Sequence, residues 1–175
     1  MQSTRRERRM NPYLRDARAP LLDYLGLSEI ETMATRIYCD TEKLPEVIGA
    51  MRPRMDTRGG HPHMHNATKH QKAMDEITDR YRAARGAIRA GFAGPVLFAV
   101  VSHRKVPKSW PKRRIGEQDT AKPDSSNILK LVEDALNGLA YKDDCQIVGE
   151  IPLKAPRVGD RDWLEIEVTY CEPRR

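Results

Sequence analysis

The run KPDSSNILKLVEDALNGLAYKDDCQ, Lys122 to Gln146, constrains the fold more than any other part of the chain. Ile128, Val132, Ala135, Leu136 and Leu139 recur at i, i+4, i+7, i+8 and i+11, the apolar stripe of an amphipathic helix. A Pro-Asp turn and two serines open it. Asn137-Gly138 closes it, because both residues tolerate the left-handed conformation at a helix C-terminus. The expected helix is therefore 127–138, with Lys130 and Asp134 four residues apart on its polar side. One acid stands at the entrance (Asp124), a lysine one to two turns in (Lys130), and two acids (Asp143, Asp144) after the exit. If the strand after Asp144 returns beside the helix N-terminus, these groups converge, and convergent carboxylates with a nearby lysine suit a hydrated Mg²⁺ ion. The ordinary reading stands beside this one. Asp124 is then an acid favoured by the helix dipole, Asp143-Asp144 a turn, and Lys130 the i, i+4 partner of Asp134.

The 175 residues suffice for one domain with a real core. A formal charge of +6 favours an acidic partner, nucleic acid first among them. Cys39, Cys145 and Cys171 are scattered, without CxxC spacing, and read as reduced thiols of a cytoplasmic protein. No apolar run approaches the roughly 18 residues of a membrane span, and no signal-peptide pattern opens the chain, so no membrane partner is expected.

Residues 1–34 are read as a basic extension and 35–175 as the domain. The first 18 residues carry six arginines against two acids, compatible with an arm on phosphate or with a disordered extension. Met33-Ala34-Thr35 also reads as an alternative start. Thr35–Asp40 reads as a first strand. Residues 51–70 read as a long basic loop, with Arg52, Arg54, Arg58 and Lys69 among glycines and a proline. His61, His63 and His65 alternate within it; they suit either a solvated or phosphate-facing loop or a zinc site that lacks an evident fourth ligand. A helix over 68–90 follows, its stripe (Met74, Ile77, Tyr81, Ala84, Ile88) serving the core or in part a dimer, with Gly91 and Gly94-Pro95 ending it. Residues 95–101 are apolar throughout and predict a central strand covered on both faces. Next comes the densest basic segment, with Arg104, Lys105, Lys108, Lys112, Arg113 and Arg114. Prolines at 107 and 111 keep it a loop that can follow a nucleic-acid backbone. Trp110 either stacks on a base or anchors that loop by packing. Residues 146–151 predict a strand. In 163–170 Leu164, Ile166, Val168 and Tyr170 alternate with Glu165, Glu167 and Thr169, the pattern of a half-buried closing strand.

Asp124, Asn127, Lys130, Asp134, Ala135, Leu136, Asn137, Asp143, Asp144 and Gln146, in order and spacing, resemble the signature of the RusA family of Holliday-junction resolvases. That signature has a Lys/Arg-Pro-Asp-x-Asp-Asn-Leu-x-Lys opening, an Asp-Ala-Leu-Asn helix end, then Asp-Asp-x-Gln-Ile. Arg52-Pro53-Arg54 and the Pro-Lys-Ser-Trp of 107–110 are similar to basic segments of the same family, and the resemblance covers roughly 35–171. It implies an α/β (α+β) fold: a mixed sheet of about four to five strands with the 68–90 and 127–138 helices packed on it. It also implies a homodimer acting on four-way junction DNA with Mg²⁺, for which Mn²⁺ can substitute, in a bacterial or phage-infected cell. Asp124, Asp144 and Lys130 take the family's catalytic roles, with Asp143 a further possible ligand. Ser126 stands where the family has its second aspartate. A hydroxyl is a weaker Mg²⁺ ligand than a carboxylate. Three functions follow as expectations: a Mg²⁺-dependent junction endonuclease, a junction binder impaired at Ser126, or a structural protein whose charges only solubilise it.

Overall fold

The computed structural model describes residues 12–51, 54–56, 63–65, 68–86 and 91–174, with 12–13, 54–56 and 63–65 described in their backbone alone. The chain runs α1 (Pro12–Leu25), β1 (Leu27–Cys39), β2 (Arg54–Asp56), β3 (His63–His65), α2 (Thr68–Arg85), β4 (Val96–His103), α3 (Ser125–Leu136), β5 (Ile147–Lys154) and β6 (Asp162–Pro173). Short 3-10 turns lie at Lys112–Arg114 and Asp144–Gln146. The main sheet has the order β1-β6-β4-β5. Its β1/β6 and β6/β4 pairs are antiparallel, while β4 and β5 are parallel. A parallel pair needs a crossover, and α3 lies within it.

Seven of the eight β4 residues are buried, as their unbroken apolar run requires of a strand between two neighbours. The α3 stripe is the one the sequence draws. Ile128, Val132, Ala135, Leu136 and Leu139 are all buried against Ile77 and Tyr81 of α2 and against Leu164, Ile166 and Val168 of β6. Gly138, at φ +73, turns the chain out of α3. α2 ends earlier than expected. Gly86, at φ +68, takes the exit that the sequence reading gave to Gly91, and Ala84, expected in the stripe, is exposed. Ile88 lies outside the described residues. The basic stretch 51–70, expected as loop throughout, contains the antiparallel β2–β3 pair.

Two further expectations change. β6 lies inside the sheet and is covered on both faces, so Glu165, Glu167 and Thr169 are buried. Their cover is α1, which brings Leu14 over Ala99 and Val101, and Leu22 over Leu97 and Cys171. Arg18 of α1 donates to Glu167 at 3.1 Å. The strand expected from Thr35 starts at Leu27, so the expected boundary at 34/35 falls within β1. Thr35 itself is mid-strand, opposite Ile166.

Candidate active site

The polar face of α3 carries the candidate site. Asp124, Asn127, Lys130 and Asp134 are spaced three or four residues apart, which aligns them along one side of the helix. Asp124 is the residue before the first turn, extended at φ −70, ψ 150. Its carboxylate makes only a long 3.5 Å contact with the Asn127 amide. Ser126 is exposed in the first turn. At a rise of about 1.5 Å per residue, Lys130 lies about 9 Å beyond Asp124 along the axis.

Three carboxyl groups surround Lys130. Its Nζ is 3.0 Å from Asp134, 3.6 Å from Glu133 and 3.8 Å from Asp144. The hydrogen bond to Asp134 raises the lysine's pKa against the opposing effect of burial, and the charges of Asp134, Glu133 and Asp144 add to the rise. Lys130 is therefore a fixed cation. Both ends of its pair with Asp144 are open to solvent, at 48% and 45% exposure. Glu133, by contrast, is 8% exposed. Burial pushes its carboxyl up, Lys130 opposes that, and the nearby charges of Glu150, Asp134 and Asp144 push it further.

Asp144 is held from below by its turn. Asp143 accepts the Cys145 N–H at 3.0 Å, and the Gln146 side-chain oxygen Oε1 accepts the N–H groups of Lys142 and Asp143. The Gln146 amide nitrogen donates to the carbonyls of Phe92 and Gly94, at 2.7 and 2.8 Å. One side chain thus ties the acidic turn to the start of β4. The Asp143 carboxylate faces this turn, its pKa lowered by the hydrogen bonds at Cys145.

Asp124 borders a different feature, a cavity of about 430 Å³ also lined by Glu46, Lys69, Arg104, Lys122 and Asn127. The segment 47–51 forms its opposite wall. Gly49 packs against the first turn of α3 so closely that a Cβ there would lie 2.9 Å from the Asn127 Cβ and 3.0 Å from the Pro123 Cβ. The Ala50 N–H donates to the Asn127 carbonyl at 2.7 Å. Buried Asp162 accepts from the N–H groups of Val47 and Lys105, joining this wall to the second basic segment.

The structure thus brings Asp144 to Lys130 and sets Asp124 at the head of the same helix face. Among the described residues, no group of three or more His, Cys, Asp or Glu side chains is placed to hold a metal ion. Of the basic candidates, Lys105, Lys108, Lys112 and Arg113 are exposed. Lys69 is paired with Glu46 at 2.9 Å, and Arg114 with Glu117 at 2.8 Å. Trp110 packs under Arg114 at 4.1 Å and Arg157 at 5.5 Å, which makes it an anchor of the loop. Arg52, Arg58 and His61 lie outside the described residues, and so do the side chains of Arg54, His63 and His65. The sequence reading missed Glu133, Asp119 and Arg157. The Glu133 signal was present, three residues after Lys130. Asp119 and Arg157 are 38 residues apart and meet only in the fold.

Fold and site together define an α+β domain with a lysine-centred acidic face on one helix and exposed basic residues in the loop before it. The family model for Endodeoxyribonuclease RusA matches residues 45–169, and the chain belongs to that family. It is also 34% identical over 111 residues to a Bacillus subtilis (strain 168) protein named "Uncharacterized protein YqaN", covering 59% of this chain and 77% of that relative. Among the described residues, no helix is long and apolar enough to cross a membrane.

Proposed function

We propose that this chain is a structure-specific endodeoxyribonuclease that resolves Holliday junctions by paired phosphodiester nicks, in recombination and repair. The observation that carries the reading is the Asp144–Lys130 pair on the exposed face of α3, inside the segment matched to the RusA family. The donors near it are hard carboxylate oxygens open to water. That fits Mg²⁺, which keeps most of its water and takes one or two carboxylates rather than a full protein cage. Asp144 and Asp124 would hold it, with Ser126 and Asp143 as auxiliary oxygens and Mn²⁺ as a substitute. Bound Mg²⁺ supplies polarisation of the scissile phosphate and a more acidic attacking water.

The chain's own residues do the rest. Lys130, kept protonated by its three carboxyl neighbours, stabilises the negative charge that develops on the phosphate. Lys105, Lys108, Lys112 and Arg113 follow the DNA backbone, joined by Lys69, Arg114, Arg52, Arg54 and Arg58, while Arg104 is turned inward to Asp119. A four-way junction is two-fold symmetric, so paired nicks call for a symmetric homodimer. The setting is the cytoplasm of a bacterial or phage-infected cell.

A second reading, a junction binder with impaired catalysis, is favoured by Ser126 and by the absence of a three-ligand cluster among the described residues. Cleavage of a labelled four-way junction and a matched linear duplex, with Mg²⁺ and with EDTA, decides between them. Symmetric metal-dependent nicking of the junction, lost in Asp144→Asn, supports the resolvase. Nicking only by Ser126→Asp supports the binder. Neither binding nor nicking by any variant overturns both.

A further inference from the structure

Residues 119–123 connect the basic loop to α3 and end at Asp124. Asp119 is buried, its side chain 1% exposed, and three cations meet it. Arg157 Nη2 donates to Oδ1 at 2.8 Å, Arg104 Nη1 to Oδ2 at 3.3 Å, and Lys154 Nζ is 3.9 Å from Oδ2. The Ala121 N–H donates to Oδ1 at 3.3 Å. Burial pushes the Asp119 carboxyl up, but the Arg157 hydrogen bond and the charges of Arg104, Arg157 and Lys154 outweigh it, and its pKa falls below the usual value.

Two of these cations continue toward the helix. Arg104 donates to the carbonyls of Ala121 and Lys122, the latter at 2.8 Å. Lys154 donates to the carbonyls of Ala121 and Pro123. All three carbonyls that precede Asp124 are therefore held by side chains that Asp119 holds. The third cation, Arg157, fixes the cluster to the frame. Its backbone pairs with Gly116 and Glu117, and its Nη1 donates to the Lys105 carbonyl. Asp124 has no side-chain capping bond of its own. Its place at the cavity is set by the backbone that precedes it.

We infer that Asp119 is a positioning residue for Asp124: through Arg104 and Lys154 it fixes the 121–123 carbonyls and so sets where the Asp124 carboxylate stands at the head of α3. This rests on reading Asp124 as part of the nuclease site. A residue that served only the core would hold β4 to β6. The Asp119 bonds run instead to β-strand ends and to the connection. Asp119→Asn keeps the shape and removes the charge, and Lys154→Met removes one of the two forward clamps, the one on Pro123, while leaving the Asp119–Arg157 pair.

The test is amide hydrogen exchange on both variants, with junction cleavage and junction binding alongside. Exchange reports local opening independently of activity. The bonded amides of this stretch, Ala121 and Ile128, should exchange about tenfold or more faster in both variants, over and above any change shared by β4 and β6, in line with the loss of charge-assisted bonds. At saturating junction, turnover should fall about tenfold while half-saturation stays within about twofold, and Lys154→Arg should recover most of it. Unchanged exchange at Ala121 and Ile128, or equal loss across β4 and β6 in both variants, overturns the inference. If the unaltered chain does not cut DNA, the resolvase reading fails, and the exchange data still decide whether Asp119 orders the connection.

Discussion

Two charge clusters flank α3, and they are inversions of each other. At Asp119 one buried carboxylate is met by Arg104, Lys154 and Arg157. At Lys130 one exposed ammonium is met by Glu133, Asp134 and Asp144. Burial separates their roles. A buried carboxylate must be paired and hydrogen-bonded, so an excess of cations around it makes a rigid joint. An exposed lysine among carboxyls gains little stability from any one pair and leaves an excess of negative charge facing solvent. The first arrangement is suited to framing, the second to receiving a cation and a phosphate.

Replacing each centre in turn should give opposite results. Lys130→Met should lower junction cleavage by roughly 10²–10³-fold, the range for removing one group that stabilises developing charge. Its cost in urea unfolding should stay below about 1 kcal/mol, as expected for exposed ion pairs. Asp119→Ala should cost about 3–5 kcal/mol in the same unfolding experiment, because it strands buried cations. Equal stability losses from the two variants would break the comparison.

A further buried carboxylate carries the contrast into pH dependence. Glu167 is pushed up to about 7 by burial, which Arg18 opposes and Glu165 and Glu29 reinforce. Its folded value lies above the unfolded one, so its contribution to stability is full below about pH 4.5 and is lost as pH rises to about 7. Asp119 has the opposite sign: its contribution is present above the ordinary aspartate range and is lost as pH falls through its lowered folded value. The unfolding free energy from urea titrations between pH 4.5 and 7.5 should therefore decline by an amount of order 1–3 kcal/mol in the unaltered chain, and Glu167→Gln should flatten that decline. A slope unchanged in the variant would assign it to another group.

Gly49 probes the wall opposite Asp124. Gly49→Ala should cost about 1–3 kcal/mol from overpacking against Asn127 and Pro123. It should reduce junction turnover more than junction binding, read from kcat and half-saturation in one titration. The smallest effect belongs to the exposed loop. Lys112→Gln and Arg113→Gln should each lower the slope of log binding constant against log salt by about one, without changing the unfolding midpoint.

Local chemistry is legible where it is periodic. The α3 stripe and the inward set of β6 follow from side-chain spacing, since that face of each meets the apolar core, and the unbroken β4 run follows from apolar cover on both its faces. The acidic motif is legible for another reason: Asp124, Lys130 and Asp144 lie close in sequence on one helix and the turn after it. α1 escaped because its buried residues, Leu14, Arg18 and Leu22, place an arginine in the middle of the stripe, within a segment rich in arginine. Without α1, Glu165 and Glu167 look like the solvent side of a half-buried strand.

Side-chain spacing thus draws the helix that bears the candidate site, the strand that centres the sheet and the order of acids and lysine along the chain. Which charges face water is settled by contacts between distant segments. Arg18 meets Glu167 across 149 residues and Arg157 meets Asp119 across 38. A carboxylate's role depends on the dielectric and the cations around it, and chain separation carries neither.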